Sequence, residues 1–250
     1  MEPYDILSTY YDELMDDVPY GTWAKRILSI LAQSGIRSGH LLEYAAGTGS
    51  MTELLLEGGF RLTAVERSEG MIEQAQHRLS EQMSRVRLIQ GDMLEFKSRE
   101  LYESAVCVCD GINYLTEDGA LYELLQGLKP MIRPGGVFIF DLSTEWKFKH
   151  SLDGRTIAEN NDDYAFIWEN HYDSSEKILE FDLAVFERSG SQFVRTEEHH
   201  TQRAYDSKEI HEICDELGLD LSGPWHEYTN EPAREDSERV HYIITFGGNQ

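Results

Sequence analysis

Residues 40–52 read HLLEYAAGTGSMT. The apolar run Leu41, Leu42, Tyr44, Ala45 gives way to Ala46-Gly47-Thr48-Gly49, and Thr52-Glu-Leu-Leu-Leu follows. This order predicts a strand, a tight turn and the first turn of a helix. Glycines at 47 and 49 let the backbone bend sharply and come close to a ligand. The helix start behind them offers unpaired N–H groups and the positive end of a dipole. Such a unit suits a nucleotide or nucleoside at the carboxyl edge of a parallel sheet.

Outward from this stretch the chain alternates. Arg61–Val65 predicts a second strand with Glu66 at its carboxyl end, and Met71, Ile72, Ala75 and Leu79 form the stripe of a helix starting near Ser68. Val86–Gln90 predicts the third strand, ending in Gly91-Asp92-Met93, and Ala105–Cys109 the fourth, ending in Asp110-Gly111. Thr116 is a candidate N-cap for the next helix, whose stripe is Leu121, Leu124, Leu125 and Leu128. Val137–Leu142 is the fifth strand, with Asp141 near its end. The pattern implies an α/β protein with a mostly parallel sheet and helices on both faces.

Two segments depart from that rhythm. Residues 4–35 read as two helices: Tyr4, Tyr10, Tyr11, Leu14 and Met15 on the first, Trp23, Ala24, Ile27, Leu28 and Leu31 on the second. They are expected to cover the domain, and some aromatic residues the ligand mouth. Between 145 and 205 helical spacing is absent. Tyr164–Tyr172, Lys177–Glu187 and Gln192–Tyr205 predict three antiparallel strands joined at Asp173-Ser-Ser and Ser189-Gly-Ser. The expected organisation is therefore one domain made of 1–144 and 206–250, with 145–205 inserted as an antiparallel β substrate lid. After the insert, Asp206 and Glu209 suggest a capping box for a helix ending at Gly218, followed by strands over Leu219–Tyr228 and Val240–Phe246.

Composition narrows the function. The chain has 250 residues, of which 40% are apolar and 27% charged, the profile of a folded globular protein. No apolar run approaches the ~18 residues of a membrane span, and the acidic N-terminus lacks the features of a signal peptide, so a cytoplasmic location is expected. Net charge is −24, which repels a polyanion over most of the surface and argues against a nucleic-acid substrate. Cys107, Cys109 and Cys214 have neither disulfide nor zinc spacing, and no metal site is expected.

At the carboxyl ends of successive strands stand Gly47 and Gly49, Glu66, Asp92 and Asp110, the positions that line the ligand crevice of an open α/β sheet. Glu66 follows Glu43 by 23 residues, near the step of about 20 that places an acid on ribose hydroxyls. A nicotinamide dinucleotide wants G-x-G-x-x-G, and here the third position is Thr52. Abundant acids also disfavour a pyrophosphate. A cationic nucleoside such as S-adenosylmethionine fits better.

The chain resembles the class I S-adenosylmethionine-dependent methyltransferases over nearly its whole length, and within them the YqeM-type bacterial group. LLEYAAGTGS, AVERSEGMIEQAQ, IQGDML, CVCDGINYL and LKPMIRPGGVFIFDL carry the likeness in order, joined by YYDELMDDVPYGTW and EEHHTQRAY. Tyr44-Ala45-Ala46 departs from the usual Asp-Leu-Gly-Cys type of sequence, while Glu43 stands at the expected acid. The resemblance implies a Rossmann-like seven-stranded fold and S-adenosylmethionine as cofactor. It implies that Glu43, Gly47 and Gly49 frame the methionine and ribose, Glu66 bonds the ribose diol, Asp92 and Met93 meet the adenine, and Cys109 and Asp110 line the methionine end, with Ala45 and Arg67 as further cofactor-binding residues. Asn113 and Tyr114 would face the substrate side, with Tyr11, Tyr20 and Trp23 as N-terminal contacts.

Methyl transfer from a sulfonium is an in-line displacement in which alignment and exclusion of water do most of the work. The expected acceptor is a small molecule offering N or O, and oxygen calls for a base. A period of two sets Glu198, His200 and Gln202 on one face of the last insert strand, opposite Arg195, Glu197, His199, Thr201 and Arg203. The resemblance favours the first face as inward, making Glu198 and His200 catalytic candidates with Asp141. The plainer reading is a solvated, charge-paired face. Aromatic residues of the insert, Tyr164, Phe166, Trp168, Tyr172, Phe181 and Phe193, either cage a cation or form core. A nicotinamide-dependent oxidoreductase and a non-catalytic nucleoside-binding regulator are the competing functions. Oligomeric state stays open between monomer and homodimer.

Overall fold

The computed structural model describes residues 7–247; Tyr4 lies outside them. After a short helical turn over Leu7–Thr9, α1 (Tyr11–Leu14) and α2 (Tyr20–Gln33) lead to β1 (His40–Tyr44) and α3 (Ser50–Glu57). Then come β2 (Arg61–Glu66), α4 (Glu69–Arg78), β3 (Val86–Gln90) and β4 (Ser104–Cys107). A helical turn at Gly111–Tyr114 precedes α5 (Ala120–Leu128) and β5 (Val137–Ser143).

The seven-stranded sheet has the order β10-β11-β5-β4-β1-β2-β3, with β10 (Asp220–His226) and β11 (Arg239–Thr245) closing one edge. The pairs β5–β4, β4–β1, β1–β2 and β2–β3 are parallel, whereas β11 runs antiparallel to both β5 and β10. Strand order reverses between β1 and β4. The turns after these two strands therefore diverge and leave a crevice at their carboxyl ends, where open α/β sheets take ligands. The central strands are apolar because both faces are covered. Leu42, Tyr44, Phe138 and Phe140 pack toward α5 and α7 (Ser207–Leu217), and Leu41, Val106 and Ile139 toward α2 and α3.

Chain 145–205 starts with the short helix α6 (Glu145–Lys147) and a wide helical turn over Phe148–Leu152. It continues as a four-stranded antiparallel sheet, β6 (Thr156–Asn160), β7 (Tyr164–Asp173), β8 (Ile178–Ser189) and β9 (Gln192–Arg203), in that order. One face is buried: Tyr164, Phe166 and Tyr172 on β7, Leu179, Phe181, Leu183 and Val185 on β8. It packs on Leu7, Tyr10, Tyr11 and Leu14 at one end and on Phe148, Leu152 and Ala204 at the other.

Four local expectations are corrected. The strand β6 was not foreseen, because all five of its residues are exposed and it is held mainly by backbone pairing with β7. The N-terminal helix is a helical turn followed by the four-residue α1, since Val18 and Pro19 stop it early. Thr116 caps nothing; Gly119, with φ +82°, occupies the N-cap position of α5. The Asp206–Glu209 capping box does not form either. Asp206 pairs with Lys177 and Glu209 with Arg203, so tertiary ion pairs take both carboxylates.

Gly111 begins the turn after β4. A Cβ there would lie 2.7 Å from both the Ala45 Cβ and the Cys107 Sγ. Gly111→Ala should therefore destabilise the protein by about 1–3 kcal/mol, the usual range for overpacking, as read from urea denaturation.

Candidate functional site

The glycine loop is held by the end of β2. Ala45, Gly47 and Gly49 have φ of 51°, 56° and 83°, left-handed values that turn the chain off β1. The Glu66 carboxylate accepts the Gly47 N–H at 3.0 Å on one oxygen and the Ser68 N–H at 2.9 Å on the other. Burial raises the Glu66 carboxyl while these N–H bonds oppose the shift. Asp92, at the end of β3, accepts the Leu94 N–H at 2.7 Å with one oxygen and lies 3.9 Å from the Arg67 guanidinium with the other. The N-terminal cover is latched to the same loop. Asp12 accepts the Thr48 hydroxyl at 2.6 Å and Arg78 at 2.5 Å.

Between these groups lies a cavity of about 990 Å³, its open mouth included. Tyr11, Tyr20, Ala45, Gly47, Glu66, Arg67, Asp92, Met93 and Cys109 line it, as does Tyr114. Val65, Met71 and Leu115 add an apolar wall. Tyr11 and Tyr20 reach it from the cover, with their hydroxyls 3.9 and 3.6 Å from the Cys109 Sγ. Burial and the charge of Asp110 push the Cys109 thiol up to about 12, so it is not a thiolate nucleophile.

Other expected residues stand behind that lining. Trp23 stacks on Tyr228 at 4.8 Å beneath the Arg239 guanidinium. Glu43 is buried under the loop and accepts the Thr52 hydroxyl at 2.7 Å. Burial pushes its carboxyl up to about 8. Gly49 packs on Ala75 and Leu79. Asn113 does not face the cavity as expected; it bonds the backbone of Ser143 twice and the Arg203 carbonyl at 2.8 Å, stitching β5 to β9.

Asp141 is fully buried, and its oxygens accept from the Cys109 N–H at 2.9 Å, the Asp110 N–H at 2.6 Å, the Tyr228 hydroxyl at 2.6 Å and Arg239 at 2.7 Å. With its lone pairs so engaged and no surface on the cavity, it anchors the turn after β4. Cys109 and Asp110 both have left-handed φ, 59° and 56°, and this carboxylate is what holds their N–H groups in that turn. Arg239 bridges on to Asp110 at 2.7 Å. Burial would raise the Asp110 carboxyl, but Arg239 and Lys147 outweigh it and hold it at about 2. Sequence reasoning missed Arg239, since a single arginine opening an apolar strand carries no signal until β11 is paired beside β5.

The expectation of a solvated face on β9 is overturned: Glu198, His200 and Gln202 are buried, while Glu197 and His199 are exposed. His200 Nε2 lies 3.0 Å from Glu198, and its Nδ1 lies 3.1 Å from the Tyr114 hydroxyl. Neither Glu198 nor His200 lines the cavity; Tyr114 does. No group of three metal-binding side chains occurs among the described residues, nor any helix long and apolar enough to cross a membrane.

Comparison with known proteins places this geometry. A methyltransferase-domain family (Methyltransf_25) matches residues 41–136, from β1 to the turn before β5. YqeM of Bacillus subtilis (strain 168) is 28% identical over 96% of this chain and 95% of its own. The crystal structure of an S-adenosylmethionine-dependent methyltransferase from Clostridium acetobutylicum ATCC 824 superposes with a TM-score of 0.87 at 25% identity, covering 99% of this chain and 100% of that one. The protein is an S-adenosylmethionine-dependent methyltransferase with the class I fold. A sugar N-methyltransferase from Streptoalloteichus sp ATCC 53650 shares the fold, with a TM-score of 0.77 at 16% identity over 95% of this chain and 93% of that one. The methyltransferase thus uses S-adenosylmethionine rather than a nicotinamide. Its cavity suits that cofactor: the carboxylates of Glu66 and Asp92 can receive hydroxyl and amino donors, the apolar wall a flat base, and the acidic surroundings a sulfonium.

The buried charges of the methyltransferase set its stability. Arg239→Met removes the guanidinium that bridges Asp110 and Asp141 and should cost about 3–5 kcal/mol in urea denaturation. For Glu43, a folded-state value near 8 against 4.5 unfolded means that the native state holds the extra proton. Its contribution is complete below the unfolded value and is lost as pH rises through the folded one. Glu43→Gln should consequently gain on wild type by on the order of 3 kcal/mol between pH 5 and pH 8, seen as diverging melting temperatures.

Proposed function

We propose that the enzyme transfers its methyl group by in-line displacement to a small-molecule acceptor offering nitrogen or oxygen. The observation that carries this reading is the cavity itself. It is enclosed by the carboxylates at the ends of β2 and β3 and by Tyr11 and Tyr20 of the cover. Bound there, S-adenosylmethionine supplies an electrophilic methyl group on a sulfonium. Glu66 orients the ribose hydroxyls, Asp92 with the Met93 backbone receives the adenine, and the Ala45–Gly49 loop leaves room for the methionine portion. Tyr11, Tyr20 and the Cys109 turn line the part of the cavity nearest the acceptor and keep water out.

In this reading residues 145–205 act as a substrate-reading lid on the domain formed by 1–144 and 206–250. Support comes from the buried face of the four-stranded sheet, which packs on the same N-terminal segment that supplies Tyr11. A net charge of −24 favours a small acceptor over a nucleic acid.

Calorimetry with S-adenosylhomocysteine tests the cofactor half. Glu66→Ala and Asp92→Ala should each weaken binding at least about 10-fold, the loss of a charge-assisted hydrogen bond worth about 1.5–3 kcal/mol. Unchanged affinity in both variants would sink the assignment of these residues. Transfer of radiolabelled methyl to RNA, with none to small amines or alcohols, would sink the acceptor class.

A further inference from the structure

Two buried polar atoms on the inner face of the inserted sheet have no hydrogen-bond partner among the described residues: Trp168 Nε1 and Asn170 Oδ1. They belong to successive inward positions of β7, along which burial alternates. Asn170 is 6% exposed. Its amide cannot be turned over to relieve the oxygen, because Nδ2 donates at 3.2 Å to the Arg155 carbonyl, which only accepts. Trp168 keeps part of its surface although it stands on the buried face. Its ring packs on Phe181, with centroids 5.0 Å apart. Rings join the pair to the cavity from two sides. Trp168 and Tyr11 pack against the same apolar cluster, and Phe181 stacks on His200, whose ring centroid is 6.1 Å from that of Tyr114. Tyr11 and Tyr114 both line the cavity.

We propose that Trp168 and Asn170 are specificity-determining residues that hold the end of the acceptor remote from the methylated atom, and that this end is a neutral group able both to accept and to donate, a hydroxyl or a carboxamide. The inference rests on reading the cavity as the site of methyl transfer and the insert as its substrate lid. Folded chains leave few buried donors or acceptors unpaired, since an unmade bond costs more than a made one returns. Here one of each stands two residues apart on one face of one strand. Such a pair is matched by a partner from outside the chain.

The chemistry of the two atoms selects the group. An indole N–H only donates and an amide oxygen only accepts, so the partner must offer both functions. The surroundings select against charge. The neighbours of the pair on the inner face are Ile157, Phe166, Tyr172, Phe181 and Leu183, none of them ionic. An ion placed there would lose its water with no counter-charge beside it. The rings of Trp168 and Phe181 give the apolar body of the acceptor a surface to pack on. Recognition of the far end on the lid leaves the choice of nitrogen or oxygen at the reacting end to the cavity.

The test uses the full chain saturated with S-adenosylhomocysteine and labelled with nitrogen-15 tryptophan, the Trp168 indole signal being assigned with Trp168→Phe. Four probes share one ring: benzamide, benzyl alcohol, benzoate and benzylammonium. The two neutral probes should move the Trp168 signal at about 10 mM, the strength expected of so small a ligand. The two ions should bind at least about 10-fold more weakly. Asn170→Asp keeps an acceptor oxygen but adds a charge, and should favour benzylammonium over benzamide with the affinity for S-adenosylhomocysteine unchanged. A Trp168 signal unmoved by both neutral probes, or ions bound as tightly as they are, overturns the proposal. So does a crystal structure with S-adenosylhomocysteine and benzamide in which Trp168 bonds Asn170 directly, or in which one water bridges them and benzamide lies elsewhere. These wild-type results decide the matter even if Asn170→Asp does not fold. Failure of wild type to bind S-adenosylhomocysteine would instead defeat the underlying assignment of the cavity.

Discussion

One carboxylate, that of Asp141, sets the geometry on which the crevice depends. It is fully buried on β5 and receives two consecutive backbone N–H groups from the turn after β4, a tyrosine hydroxyl and an arginine. A buried carboxylate without partners would be prohibitive, and here each oxygen is matched. In return the turn is held in two successive left-handed residues, Cys109 and Asp110. That conformation carries the chain into Gly111–Tyr114, the segment that brings Tyr114 to the cavity. Arg239 of β11 closes the arrangement by pairing with Asp110 and Asp141 together. The edge strand thereby contributes to the site without lining it.

A second carboxylate plays a parallel part on the other side of the crevice. Glu66 gathers the N–H groups of Gly47 and Ser68. It ties the glycine loop to the start of α4 while its own surface remains on the cavity wall. Both turns beside the strand-order reversal are thus pinned by acids from neighbouring strands. The enclosure is completed from outside the sheet, where Asp12 of α1 holds Thr48 and Arg78. An N-terminal segment, a glycine loop and a helix meet in one ion pair with its hydrogen bonds.

Much of this was legible from residue order. The strands after the glycine loop, the left-handed Gly218 at the end of α7 and the long hairpins of the insert follow from periodicity and turn chemistry, which act over a few residues. The errors fell where a tertiary partner outbid a local one. Asp206 and Glu209 look like a capping box but meet Lys177 and Arg203 instead. The fully exposed β6 has no hydrophobic alternation to announce it. The two-residue period correctly grouped Glu198, His200 and Gln202, yet the plainer reading put them in water. Packing of β9 beside Gly111–Tyr114 and the N-terminal turn at Leu7 buries them.

By itself, then, the sequence determined the α/β alternation, the glycine loop and the acids that stand at strand ends. Each of these is written in contiguous residues. The tertiary structure decided which of those acids are ligand-facing and which are anchors. Glu66 and Asp92 line the cavity, whereas Glu43 and Asp141 lie behind it. It also brought His200 against the cavity-lining Tyr114, 86 residues away along the chain. The physical reason is that a carboxylate's role depends on which donors surround it. Those donors come from strands and turns that only the folded sheet brings together.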